Sequence, residues 1–215
     1  IHFVTNQDIK TAELDNPLVL LVESQIDNIR KIQSVLEYVI KNNKSLLIIG
    51  DAEPQVMSAL AMNKIKGNIK VNIIDAPTYG ISKKETLRDL ALLTGATIIN
   101  EDLGDAIDLI QTEQLGKCLK SVSSEAETII QVGEATQEVK DLIKEIQNTI
   151  AETKIPAIII KNEKRLARLS GKVAIVKVGA NSEIELQEKR DRIEDAICAT
   201  KAAIKQGIVP GGGVA

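Results

Sequence analysis

Aromatic side chains are almost absent from this sequence. Phe3, Tyr38 and Tyr79 are the only ones, and there is no tryptophan. Proteins that bind single-stranded nucleic acid stack bases on aromatic rings, so this scarcity argues against such a site. The net charge is −3, and acidic and basic residues are interspersed, which leaves no basic surface for a phosphate backbone. We therefore expect no nucleic-acid partner and a core of aliphatic side chains.

Cysteine and histidine are also scarce. Cys118 and Cys198 lie far apart without a C-x-x-C motif, and His2 is the only histidine. This pattern supports neither a disulfide framework nor a metal site, and it predicts two small core cysteines in a reducing compartment. No apolar run approaches the roughly 20 residues that cross a bilayer, so we predict no membrane association. Because the sequence starts at Ile1 with neither Met nor a basic leader, we expect it to begin inside a longer protein.

Short apolar runs alternate with amphipathic segments, which predicts an α/β fold. The runs at 17–22, 45–50 and 69–75 have the composition of strands buried on both faces of a parallel sheet. Apolar residues at helical spacing after Asp27, a good N-cap residue, predict a helix that ends at Asn42 and Asn43. Further strands are expected near 117–122, 127–132 and 172–178, and further helices at about 54–66, 83–95, 135–152, 155–171 and 182–206.

The end of the chain carries the motifs closest to a chemical site. Glycines 211–213 would let a phosphate approach the backbone, but they match neither G-x-G-x-x-G nor the lysine-bearing P-loop. They fit equally well a helix C-cap and turn in which Gly207 or Gly211 has a positive φ. Glu194 and Asp195 lie off the apolar stripe of the last predicted helix, which places them on its solvent side. From spacing alone, no convergent set of acid, base and nucleophile can be assembled.

Longer segments resemble a known family. Residues 166–215, "LARLSGKVAIVKVGANSEIELQEKRDRIEDAICATKAAIKQGIVPGGGVA", resemble the stretch that joins the apical and intermediate domains of GroEL-type group I chaperonins. Segments 12–51, 67–77 and 87–104 are similar to successive apical-domain segments in the same order. The chain departs from the family at 78–80, where "TYG" replaces Gly-Phe-Gly. It also departs at 51–54, where a loop is one residue short, and at 155–160, where "IPAIII" replaces a polar segment.

The resemblance implies a domain organisation. Residues 1–174 would form a GroEL-like apical domain, a mixed or parallel β scaffold flanked by helices. Residues 175–215 would form a helical segment of the intermediate domain, ending where an equatorial domain begins. The apical domain would bind unfolded polypeptides and a GroES-type co-chaperonin through an apolar groove. By alignment the groove residues are His2, Phe3, Gln33, Leu36, Met57, Ala61 and Met62.

The nucleotide chemistry of the family would need the longer parent protein. Asp195 aligns with the aspartate that supports metal-assisted hydrolysis, and Gly212 lies in the nucleotide-contact segment. The parent would be a homo-oligomeric ring with ATP and Mg²⁺ in the cytoplasm or an organelle matrix. This chain alone would be monomeric, without cofactor or activity. The alternative is a small doubly wound α/β enzyme that binds a nucleotide at a glycine-rich turn.

Overall fold

The chain divides into two compact units. A computed structural model describes residues 3–5, 11–76, 80–124, 127–153, 155–171, 176, 178–209 and 211. The first unit extends from Ile1 to Gly171, and the second from Lys172 to Ala215. The names apical and intermediate, with a boundary between 174 and 175, stay a prediction.

The described residues form the mixed α/β fold that the sequence predicts. The first unit contains, in chain order, β1 (Ala12–Asp15), β2 (Leu18–Val22), α1 (Gln33–Lys41), β3 (Ser45–Ile49), α2 (Pro54–Ile65), β4 (Lys70–Ile74), α3 (Ile81–Thr94), β5 (Ile98–Ile99), β6 (Gly116–Lys117), β7 (Lys120–Ser123), β8 (Thr128–Gln131), α4 (Gln137–Glu152) and α5 (Pro156–Leu169). The second unit contains α6 (Glu183–Gln206). Short 3₁₀ helices cover Ile29–Ile32, Glu101–Leu103, Ile107–Leu109 and Thr112–Gln114.

A parallel sheet forms the centre of the first unit. Its strand order is β4-β3-β2-β5, and β6 pairs antiparallel with the start of β2. Every residue of β2 and β3 is buried. The prediction of strands buried on both faces is therefore confirmed for β2 and β3, which are apolar at nearly every position, whereas β4 at the sheet edge is fully buried only at its three central residues.

The two faces of this sheet contribute to separate apolar clusters. Leu20 and Ile48 belong to a cluster that includes the buried residues of α1 and α2. Leu21 and Leu47, which point to the opposite face, pack with Leu87 of α3. The helices α1 and α2 thus lie on one face of the sheet and α3 on the other.

A small antiparallel sheet, ordered β1-β7-β8, completes the second face. Leu14 of β1 and Ile130 of β8 join the cluster around Leu87. The buried Asn72 of β4 donates from Nδ2 to Ser123 Oγ of β7 at 2.9 Å, so a satisfied polar contact joins the two sheets.

Helices α4 and α5 form a hairpin beside α3. The segment at 155–171 is helical as predicted, because Pro156 occupies the first turn, where its missing N–H costs no hydrogen bond. Val139, Ile146 and Leu169 are buried in this hairpin. We call the contacts between α3 and α5 the polar seam: Asp89 with Arg165, Glu85 with Lys161 and Thr86 with Arg168.

Most of the described residues of the second unit belong to α6. The side chain of Ser182 accepts a hydrogen bond from the Glu185 N–H and caps the start of this helix. Gly207 ends it with φ +83°, which confirms the C-cap predicted for that glycine. Ile193 is half-buried, whereas Ile184 and Ile204 are exposed. The strand expected at 172–178 lies largely outside the described residues.

Two local predictions are wrong. Asn28, not Asp27, caps the first helical segment, because its side chain accepts from the Arg30 N–H while Asp27 pairs with Lys31. Only Cys118 is a core cysteine, since Cys198 is exposed on α6. Among the described residues, none of the helices combines the length and the apolar character that a bilayer crossing requires.

Candidate functional site

Helix α1 presents a mostly apolar row beside its core face. Val35 and Val39 are buried against the sheet. Gln33, Leu36 and Ile40 follow one another at helical spacing on another side. Gln33 is exposed and donates from Nε2 to Glu37 Oε1 at 2.7 Å, whereas Leu36 is half-buried at the edge of the core. Ile40 is 51% exposed, so this row leaves apolar surface in solvent.

Helix α2 carries two rows with different exposure: one borders the buried Val56 and Leu60, and the other lies on the opposite side of the helix. We call Met57, Ala61 and Lys64 the covered row, because Met57 is half-buried, Ala61 is buried and Lys64 is half-buried. We call Ser58, Met62 and Ile65 the open row, because Met62 is 61% and Ile65 79% exposed. Both rows follow the i, i+4, i+7 spacing of one helix side.

Phe3 lies against the covered row and does not face solvent. Its side chain is 6% exposed and belongs to the same buried cluster as Ala61. The Lys64 ammonium lies 5.6 Å from the centre of the Phe3 ring and donates a hydrogen bond to the Phe3 carbonyl. Burial lowers the pKa of Lys64 below its usual value, since desolvation disfavours the charged form.

The structure therefore divides the predicted groove residues into three groups. Gln33 and Met62 are exposed, Leu36 and Met57 lie half-buried at the core edge, and Phe3 and Ala61 are inside the core. His2 lies outside the described residues. Ile40 and Ile65 are also exposed but were not among the predicted groove residues, although helical spacing relates them to that set: Ile40 follows Leu36 by four positions, and Ile65 follows Met62 by three.

The residues predicted for nucleotide chemistry do not form a site in the described part of the chain. Asp195 is exposed on α6, and Gly212 lies outside the described residues. No group of three or more metal-ligating side chains occurs among the residues that the structure describes. Asp195 and the other described residues therefore do not by themselves form an ATP and Mg²⁺ site.

Polar groups at the carboxyl ends of the parallel strands pair with one another. In doubly wound enzymes this edge is where ligands bind, beside the point where the strand order reverses. Here Lys83 donates to Asp51 Oδ2 at 2.7 Å and to the Glu23 carbonyl at 2.8 Å. Asn100 donates from Nδ2 to Glu23 Oε2 at 2.9 Å. These contacts supply nothing that favours the alternative of a nucleotide-binding enzyme.

The thiols show no sign of covalent chemistry. Cys118 is buried, and desolvation raises the pKa of its thiol to about 11, so it is protonated at neutral pH. Its neighbours in the second cluster are aliphatic, including Leu14 and Val19. Cys118 is thus a core side chain, as its sequence context predicted.

Comparison with known proteins places this architecture in a family. Residues 7–215 match the model of the TCP-1/cpn60 chaperonin family, and the chain belongs to that family. Its structure is similar to that of the chaperonin gp146 from bacteriophage EL 2 (Pseudomonas aeruginosa), which was crystallised in the presence of ATP-BeFx. The TM-score is 0.67 at 21% sequence identity, which shows a shared fold. The match covers 99% of this chain and 42% of the phage chaperonin chain.

Proposed function

We propose that this chain is the client-binding part of an ATP-dependent chaperonin, and that it binds non-native polypeptides and a lid co-chaperonin through α1 and α2. The observation that carries the proposal is the exposure of Ile40, Met62 and Ile65 on two helices that already bury a complete core face. Exposed apolar patches mark interaction sites. Because apolar burial is non-directional, such a surface suits clients of unlike sequence.

The proposed contact is weak for one copy of the chain. Fully burying one Leu, Ile or Met side chain contributes roughly 2 kcal/mol. Ordering a flexible client and losing its translational freedom cost at least as much in total, so one copy should bind at about micromolar strength or weaker. In a ring, several copies would contact one client, and effective concentration would supply tight binding. The methionine at position 62 adds adaptability, because its unbranched side chain can repack around different partners.

The decisive experiment replaces open-row residues and compares them with an equally exposed residue elsewhere. Met62→Ser and Ile65→Ser should each weaken binding of a chemically denatured client by about 10-fold, since each removes roughly 1–2 kcal/mol of apolar burial. Ile155→Ser is the matched control, because Ile155 is 56% exposed but precedes α5. Equal losses in all three variants would show that binding does not depend on this surface.

A second pair of variants tests whether client and lid share the surface. Leu36→Glu introduces a charge at the core edge and Met57→Ser removes a half-buried side chain, so circular dichroism must first show that each variant folds. In the folded variants, the affinity for the denatured client should fall. The affinity for a peptide with the sequence of the lid co-chaperonin's loop should fall with it. If the affinity for one ligand fell and the affinity for the other stayed at the wild-type level, the proposal that they share a groove would be wrong.

We further propose that ATP hydrolysis requires the longer ring-forming protein, in which Asp195 acts on the chemical step. The 215-residue chain should be monomeric and should not bind ATP, whereas the alternative α/β enzyme should bind it alone; calorimetric titration distinguishes the two. In the longer protein, Asp195→Ala should leave nucleotide affinity largely unchanged and slow hydrolysis. ATPase activity in the 215-residue chain that disappears with Asp195→Ala would contradict this proposal.

A further inference from the structure

The two rows of α2 raise the question of what controls access to the covered row. Met62 and Ile65 of the open row are in solvent, but Met57 and Ala61 of the covered row pack into the core cluster. The side chain of Phe3 belongs to the same cluster and contacts Lys64 of the covered row, although Phe3 lies more than fifty residues earlier in the chain and is not part of any strand or helix. Access to the covered row therefore depends on how firmly residues 3–5 are held.

Residues 3–5 are held at two points. At one end, Thr5 is bound to the start of β1: its N–H donates to the Thr11 carbonyl at 2.9 Å, and its Oγ1 accepts from the Glu13 N–H at 2.7 Å. At the other end, Lys64 contacts both the carbonyl and the ring of Phe3. Lys64 is thus the polar contact that joins Phe3 to α2, and it adds to the burial of the Phe3 ring in the core cluster.

The contact between Lys64 and Phe3 is weak enough to break. Among the described residues it has no carboxylate within ion-pairing distance, so its partners are one carbonyl and one ring face. A cation on an aromatic ring contributes from about 0.5 kcal/mol when exposed to about 2 kcal/mol when desolvated. Part of that gain is offset because Lys64 is half-buried and its desolvation opposes the charge. The net contribution of Lys64 to holding Phe3 is therefore modest, and the burial of the ring adds to it.

We infer that Lys64 is a latch that keeps Phe3 over the covered row and thereby limits the apolar surface that clients can reach. When the latch opens, the Phe3 ring, Met57 and Ala61 add a second apolar row to the open row of α2. The inference rests on the proposed function, because it assigns regulation to the same client-binding surface. It gives Lys64 a positioning role, since the ammonium acts on clients only through Phe3.

The test measures release of the segment separately from client binding. Lys64→Ala removes the latch, and alanine is a strong helix former, so the helix should be retained. Lys66→Ala is the control, because Lys66 is an exposed lysine two positions further along the chain. Lys64→Arg should retain the latch, since a guanidinium also stacks on an aromatic ring and donates to a carbonyl. Segment release is measured as amide hydrogen exchange of Thr5 by NMR, and access is measured as affinity for a denatured client.

The expected result has two parts. In Lys64→Ala, exchange at Thr5 should accelerate by about 10-fold and client affinity should rise by several-fold, whereas Lys66→Ala and Lys64→Arg should resemble the wild type. Unchanged exchange in Lys64→Ala would overturn the latch. Faster exchange with unchanged client affinity would also overturn it, because Lys64 would then have only a structural role. If no variant and not even the wild type bound the client, the proposed function would fail, and the exchange data would still show whether Lys64 holds the segment.

Discussion

The two helical layers of the first unit are built from opposite kinds of surface. Helices α1 and α2 bury aliphatic residues against the sheet and leave Ile40, Met62 and Ile65 in solvent. On the other side, α3 meets α5 through the polar seam, where Arg165 contacts both oxygens of Asp89 at 2.7–2.9 Å. The first layer leaves apolar side chains in solvent, whereas α3 and α5 are joined by paired polar groups, although α5 also exposes Ile160 at 53%.

If the proposed binding is right, the difference lets one domain combine binding of unlike partners with a defined shape. An open apolar surface accepts many partners because its attraction has no preferred direction. A bidentate arginine–carboxylate pair has fixed geometry, and its groups satisfy each other instead of an external ligand. We therefore expect substitutions on the α1–α2 surface to change binding more than stability, and substitutions in the polar seam to do the reverse.

The largest expected effect comes from the core face of α2, beneath the proposed binding surface. Leu60→Ala should lower the free energy of unfolding by about 3 kcal/mol, because Leu60 is fully buried and its truncation leaves a cavity. Met62→Ser, two positions away on the same helix, should change stability by no more than about 0.5 kcal/mol. Urea denaturation measures both. A comparable loss of stability in Met62→Ser would mean that the open row packs into the core. The expectation that substitutions on this surface change binding more than stability would then be wrong.

The next largest effect should come from the centre of the polar seam. Arg165→Ala should destabilise the protein by about 2 kcal/mol, because it leaves the buried Asp89 carboxylate without its partner. The double variant Arg165→Ala with Asp89→Ala should lose less than the sum of the two single variants, since the unpaired charge is then absent. Client affinity should stay at the wild-type level. Strict additivity in urea denaturation would show that the pair is not coupled.

The sequence predicted the elements well where one local pattern decided the structure. Continuous apolar runs identified β2, β3 and β4 within about one residue at each end, because strands buried on both faces need apolar side chains throughout. The strand β1 was missed, since "AELD" is short and its partner β7 lies more than a hundred residues later. Such a pairing leaves no local signal.

The site could be predicted less completely than the fold. Helical spacing and the family resemblance indicated α1 and α2 as the binding helices, but they did not separate the covered row from the open row of α2. That separation depends on Phe3, whose contact with Lys64 joins residues 61 positions apart. Likewise, Asn28 replaces Asp27 as the cap because Lys31 attracts the Asp27 carboxylate, whose pKa is lowered by the hydrogen bond from that lysine.

The smallest expected effect belongs to the exposed end of the polar seam, and it should depend on pH. The hydrogen bond from Lys161 holds the pKa of Glu85 below its usual value. A carboxyl group with a lowered pKa stabilises the folded state above the pKa it has when unfolded, and this contribution is lost as the pH falls through the folded pKa. Glu85→Gln should therefore cost less than about 1 kcal/mol at pH 7, because the pair is solvent-exposed, and progressively less as the pH falls toward 3. Urea denaturation between pH 7 and pH 3 checks this, with Glu134→Gln as the control at an exposed position before α4. A Glu85→Gln deficit of the same size at both pH values would show that the pair contributes packing instead of charge.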